Sequence, residues 1–149
     1  MTKYRLLLLL ILLGLAGGFA FEACSSRPAD LAGNVGPNGV RRDVQAYIDS
    51  HYRDPKLHSI TTELARALQI EVTHPDTADP APGDNATDCL SDLFLNQSDD
   101  VLRTVEGLVA NTPARMRAYG KYNYRFNGTM VHGAATTKEA CNFDPNLLK

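Results

Sequence analysis

The chain has 149 residues, 44% of them hydrophobic and 7% aromatic, with no tryptophan and a net charge of −2. That length leaves room for one domain of about 100 residues beside its leader. The acidic balance excludes general nucleic-acid binding, which needs a basic field against the phosphates.

Lys3 and Arg5 precede an uncharged apolar run from Leu6 to Phe21. A basic start, an apolar middle and small residues at its end are the layout of an export signal. The run is shorter than the roughly 20 apolar residues a membrane-spanning helix needs. Two processing routes compete. In one, a signal peptidase cuts after Ala20, making residues 1–20 the signal peptide. In the other, the signal extends to residue 23 and Cys24 becomes a lipidated first residue, with Ala23 before it and Ser25 and Ser26 after it. An uncleaved anchor is a third outcome. Removing residues 1–20 deletes two bases and no acid, so the mature chain is more acidic than the whole.

The cysteines are Cys24, Cys89 and Cys141. In an oxidising compartment an even number pairs and an odd one is left over. Lipid on Cys24 leaves Cys89 and Cys141 to form one disulfide. Closing a loop of about 50 residues is worth on the order of 4 kcal/mol on the chain-entropy model. No Cys-x-x-Cys or His-x-x-x-His spacing occurs, so neither a zinc site nor a redox pair is expected, and no cofactor is implied.

Residues 21–40 are expected to form a flexible tether, given Gly33, Gly36, Pro37, Asn38 and Gly39. Residues 41–149 then make a single small globular domain. Val44, Tyr47, Ile48 and Tyr52 recur at helical spacing within 41–52. Asp54-Pro55 is a cap followed by proline at the first helical position, and Leu57, Ile60, Leu64 and Leu68 line one face of a helix to about Ile70. Thr73 to Asp88, with Pro75, Pro80, Pro82 and Gly83, reads as a loop. Its four aspartates lack the alternate spacing of a calcium loop, so no metal is expected.

Cys89, Leu90, Leu93 and Phe94 give a short helical face. Ser98 is expected to cap the next helix, whose buried stripe is Val101, Leu102, Val105, Leu108 and Val109. Thr112-Pro113 starts another, ending near Gly120. Tyr122, Tyr124 and Phe126 then alternate with Lys121, Asn123 and Arg125, and Asn127-Gly128 is a strong hairpin-turn signal. This predicts a β-hairpin returning through Thr129 to His132, packed on the helices. Thr136 and Glu139 match a capping box for a last helix carrying Cys141. The expected fold is therefore α+β and mostly helical: four to five short helices, one C-terminal β-hairpin and a single disulfide.

No Gly-x-Ser-x-Gly elbow or phosphate-binding glycine loop is present. The four histidines do not pair at ligand spacing on one element. Charge is segregated: residues 71–106 hold nine acids and one base, while 107–138 hold five bases and no acid. The basic stretch interleaves Arg115, Arg117, Lys121 and Arg125 with Tyr119, Tyr122 and Tyr124, residue types enriched at interface hot spots. These seven are the expected partner-binding residues. The plainer reading is that the aromatics face the core and the bases pair with the acidic segment. Asn85, Asn96 and Asn127 begin Asn-x-Ser/Thr sequons.

The function expected is a small exported, membrane-tethered envelope protein, periplasmic or outer-membrane-associated in a bacterium and otherwise secreted. It would bind without catalysis, possible subtypes being an inhibitor or immunity protein. Its partner would be another envelope protein or an anionic surface, with the membrane reached through a lipid or the signal anchor. The alternatives are a small secreted hydrolase built on His132, His51 and an aspartate, and a purely structural envelope lipoprotein.

Overall fold

A computed structural model describes residues 28–129 and 133–149. These residues form seven helices: α1 (Pro28–Ala32), α2 (Arg42–His51), α3 (Pro55–Thr73), α4 (Ala81–Phe94), α5 (Ser98–Val109), α6 (Pro113–Tyr124) and α7 (Thr137–Ala140). Helix α3 is the axis of the fold. Helices α1, α2, α4, α5 and α6 all pack on it, and α7 packs on α4.

The local chemistry explains why α3 is long. Asp54 Oδ1 accepts hydrogen bonds from the backbone N–H groups of Lys56 and Leu57, at 2.9 and 3.0 Å, and Pro55 follows in the first turn. Leu57, Ile60, Leu64 and Leu68 are all buried, as their spacing predicts. Ala65, Ala67 and Val72 are buried too, so α3 meets neighbours on several sides. The core joins these residues to Val40, Val44, Ile48, Leu90, Val101, Val105, Val109 and Leu147.

Cys89 and Cys141 form the expected disulfide, with Cα atoms 5.1 Å apart. Both are buried. The surrounding contacts bring the C-terminal segment to α4. Asp88 Oδ2 accepts from the Ala134 N–H at 2.8 Å, and the Thr137 hydroxyl donates to Asp92 at 2.6 Å. The Thr136 hydroxyl caps α7 by accepting from the Glu139 N–H.

The expected β-hairpin is not formed: among the described residues there is no strand, and the fold is helical rather than α+β. Residues 121–124 continue α6 instead. Ala118, Tyr122 and Phe126 recur at steps of four as well as fitting alternation, and the helical reading buries Ala118 and Tyr122 against the core. Asn127-Gly128 has a different use. The N–H groups of Arg125, Phe126 and Asn127 bond three residues back as the helix tightens, and Gly128 leaves with φ +82°. A type I′ turn would need Asn127 at positive φ as well, and among the described residues no non-glycine residue has it. Met130, Val131 and His132 lie outside the described residues.

Three smaller expectations also change. Helix α4 begins at Ala81, inside the expected Thr73–Asp88 loop, because Pro80 and Pro82 sit at the helix start, where no backbone donor is needed. Ser98 does not cap α5; it is the first helical residue, and its hydroxyl donates back to the Leu95 carbonyl at 3.1 Å. The stretch from Pro28 to Val40, expected as part of a tether, is folded onto the domain. Leu31 and Val40 are buried, Val35 bridges Arg41, and the Gly36 N–H donates to the Val40 carbonyl at 2.7 Å. Few apolar residues suffice here because two of them sit deep in the core.

Candidate functional site

Helical phase, rather than strand alternation, decides where the seven expected partner-binding residues point. Thr112 accepts from the Arg115 N–H and starts α6. Arg115 is buried; its Nε donates to the Leu31 carbonyl at 2.9 Å and its guanidinium donates to Asn111 Oδ1 at 2.7 Å. Burial, then the nearby Arg41 guanidinium, lowers its pKa. Tyr122 is also buried. Lys121 pairs with Asp76 at 2.7 Å. Arg125 donates to the Pro75 and Ala78 carbonyls at 3.0 and 3.2 Å and lies over the Tyr122 and Phe126 rings. Tyr119 is half-buried, while Arg117 and Tyr124 are exposed. The set is therefore divided between the core, the 74–80 loop and solvent, and presents no single face.

Arg41 has a comparable internal use. It pairs with Asp43 and donates to the Leu108 and Val109 carbonyls at the C-terminal end of α5, at 2.7 and 3.1 Å. A cation there satisfies carbonyls that have no partner inside the helix. The same contact lowers the pKa of the Asp43 carboxyl.

Four helices bring together a different group. Leu64, Leu68 and Glu71 of α3, Gly83, Asp84 and Thr87 of α4, Leu102 and Glu106 of α5, and Tyr119, Tyr122 and Asn123 of α6 line a cavity of about 190 Å³. On α3 and α5 the lining positions are three or four apart, and α4 and α6 each add one adjacent residue. Gly83 lies against Glu71: a Cβ there would sit 2.5 Å from Glu71 Oε1, so the Glu71 carboxyl would have to move.

Glu71 is 4% exposed. Burial pushes its carboxyl up to about 7, against a hydrogen bond from Tyr122, and the Asp84 and Glu106 carboxylates add to the rise. Asp84 is raised as well, first by burial and then by Asp88 and Asp79. The Tyr119 hydroxyl donates to Glu106 Oε1 at 2.8 Å. Burial, with these carboxylates, drives both phenols well above their ordinary range, so they remain hydrogen-bond donors. The cavity is smaller than the roughly 300–1,000 Å³ of drug-sized sites. Its size and charge suit a small cationic group, and Glu71 can exchange a proton near neutrality. Two roomier grooves of about 380 Å³ lie beside the 36–40 turn and the C-terminal segment, without such a convergence of buried and half-buried acids.

Sequence reasoning missed this pocket. One signal was present: Glu71 stands three residues after Leu68, in the apolar stripe of α3, where an acid must be buried. Nothing local joins it to Asp84, Glu106 and Tyr119.

His51 is exposed on α2 and stacks on Tyr47 with ring centroids 3.8 Å apart. His132 and Cys24 lie outside the described residues, so the expected His132–His51 pairing and lipid site have no geometry here. Among the described residues no group of His, Cys, Asp or Glu could hold a metal ion, and no helix is long and apolar enough to cross a membrane. Of the sequon asparagines, Asn85 is half-buried on α4, and Asn96 and Asn127 are exposed. Comparisons with protein-family models, curated proteins and solved structures returned no match.

Proposed function

We propose that this chain is an exported envelope protein, held at the membrane through lipid on Cys24, that binds another envelope protein without catalysis. The Cys89–Cys141 bond supports the export half, because such bonds persist in oxidising compartments. It uses two of the three sulfurs and leaves Cys24 for acylation. The binding half rests on one observation: Glu71, Asp84 and Glu106 converge with two tyrosines on one cavity. A lysine or arginine head from a partner would find carboxylate acceptors there and a tyrosine-lined wall. An immunity-type role, in which the domain covers a basic site on an enzyme, fits this chemistry better than an anionic partner. Arg115, Lys121 and Arg125 already bond within the domain.

The test is capture from an envelope extract under mild crosslinking, comparing the full chain with an Asp84→Ala/Glu106→Ala variant. A partner recovered by the former and lost by the latter is the expected result. Recovery of none, or equal recovery by both, counts against the binding reading.

A hydrolase is the second reading, favoured by one observation: Glu71 is held near neutrality beside two other carboxyls. Glycoside hydrolases use a carboxyl of raised pKa as their general acid. Release of reducing sugar from envelope glycan, abolished by Glu71→Gln, would favour it over binding alone.

A further inference from the structure

An asparagine keeps its amide until the backbone nitrogen of the next residue reaches its side-chain carbon. A side chain on that next residue obstructs the approach, and glycine has none. Two of this chain's asparagines precede glycine, Asn38 and Asn127. Both are exposed, and Gly39 and Gly128 share a φ of +82°. The two pairs differ in what holds them.

At Asn38 every reacting group is occupied. Asn38 Oδ1 accepts from the Val40 N–H at 3.2 Å, closing an Asx-type turn, and Nδ2 donates to Gln45 Oε1 at 2.7 Å. The Gly39 N–H donates to the Gly36 carbonyl at 3.1 Å. Gly39 also lies against Arg66, whose Cγ would be 3.3 Å from an added Cβ. None of these restraints recurs at Asn127. Among the described residues neither its side-chain amide nor the Gly128 N–H has a hydrogen-bond partner, and a Cβ on Gly128 would meet nothing within 4 Å.

We propose that Asn127 is a site of spontaneous modification in the folded protein, converted to aspartate and isoaspartate through a cyclic imide, and that the fold protects Asn38 from the same reaction. The Gly128 nitrogen gives its proton to solvent base and bonds to Asn127 Cγ. The Cγ–Nδ2 bond breaks, and the nitrogen takes a proton from water and leaves as ammonia. Water then opens the imide at either carbonyl, giving the two isomers, and nothing is oxidised or reduced. The product carries a negative charge just past the carbonyl end of α6, the unfavourable end for an anion. Tyr122 and Asn123 of the cavity wall stand on that last turn.

The full chain, produced in a host that does not glycosylate the Asn127 sequon, is incubated in mildly alkaline buffer, both folded and in concentrated urea. Peptide mapping follows each asparagine through the mass gain of an amide become a carboxylate, with the two isomers separated by retention. The expected result in the folded chain is conversion several-fold faster at Asn127 than at Asn38, the two rates drawing level in urea. Equal rates in the folded chain, or a faster one at Asn38, overturn the proposal. A gap of the same size in urea overturns the protection by the fold, since the difference would then belong to the flanking sequence. Aspartate formed at Asn127 without isoaspartate overturns the imide route.

Discussion

Glu71 occupies a core position on α3, and its surroundings decide its charge. The ordinary glutamate value is 4.5, and the folded value is about 7. Between these pH values the unfolded chain has lost this proton while the folded one keeps it. Stability therefore falls as pH rises through the window from about 4.5 to 7, by on the order of 3 kcal/mol, and levels off above it. The expected outcome is a lower urea midpoint at pH 8 than at pH 5, with a clearly smaller difference in Glu71→Gln. Asp84 shifts the same way. Asp43, Asp49 and Asp144 are lowered, so their contribution is present above about pH 4 and disappears as pH falls below it, a separate window. At the neighbouring position, Gly83→Ala puts a methyl against the Glu71 carboxyl. Crowding of this kind costs about 1–3 kcal/mol. In a Glu71→Ala background most of that cost should vanish, and a double-mutant cycle in urea measures it.

At the scale of elements, the sharpest question is whether residues 113–124 are one helix. Gly120 lies inside α6, and an added Cβ would meet nothing within 4 Å. Gly120→Ala should then stabilise the protein by about 0.5–1 kcal/mol, the ordinary helix-interior gain over glycine. The chain break near Gly120 required by a hairpin predicts no such gain, so thermal melting of this variant separates the two. The helix prevails because Thr112 and Pro113 start it and its buried positions, Arg115, Ala118 and Tyr122, follow one face. Local alternation over 121–126 fits both periods, and an isolated hairpin is marginal in water. The tertiary surface of α3 favours the helical alternative.

For the whole molecule, the disulfide fastens the last segment to α4. With it go the Asp88 and Asp92 contacts, a hydrogen bond from the Ser59 hydroxyl to Asp144 at 2.8 Å, and the buried Leu147. Replacing both cysteines, Cys89→Ala/Cys141→Ala, should cost about 2–5 kcal/mol. Limited proteolysis should then cut first within 133–149, whereas uniform digestion across the domain would mean that the bond supports the whole core equally. Asp88, expected to lie in a loop, thus becomes an anchor for a distant part of the chain.

What the amino-acid order determined by itself is local or arithmetic. Asp54, Thr112 and Thr136 cap helices because each needs only donors two or three residues ahead. The stripe from Leu57 to Leu68 is buried because its spacing leaves one apolar face. Cys89 pairs with Cys141, as the cysteine count led us to expect. The tertiary structure alone decided that residues 121–124 coil rather than extend, that Arg115 is a latch for α1 rather than a surface charge, and that Glu71 meets Asp84, Glu106 and Tyr119. Those outcomes depend on desolvation and on contacts between residues dozens of positions apart. Neither quantity has a signature within one turn of helix.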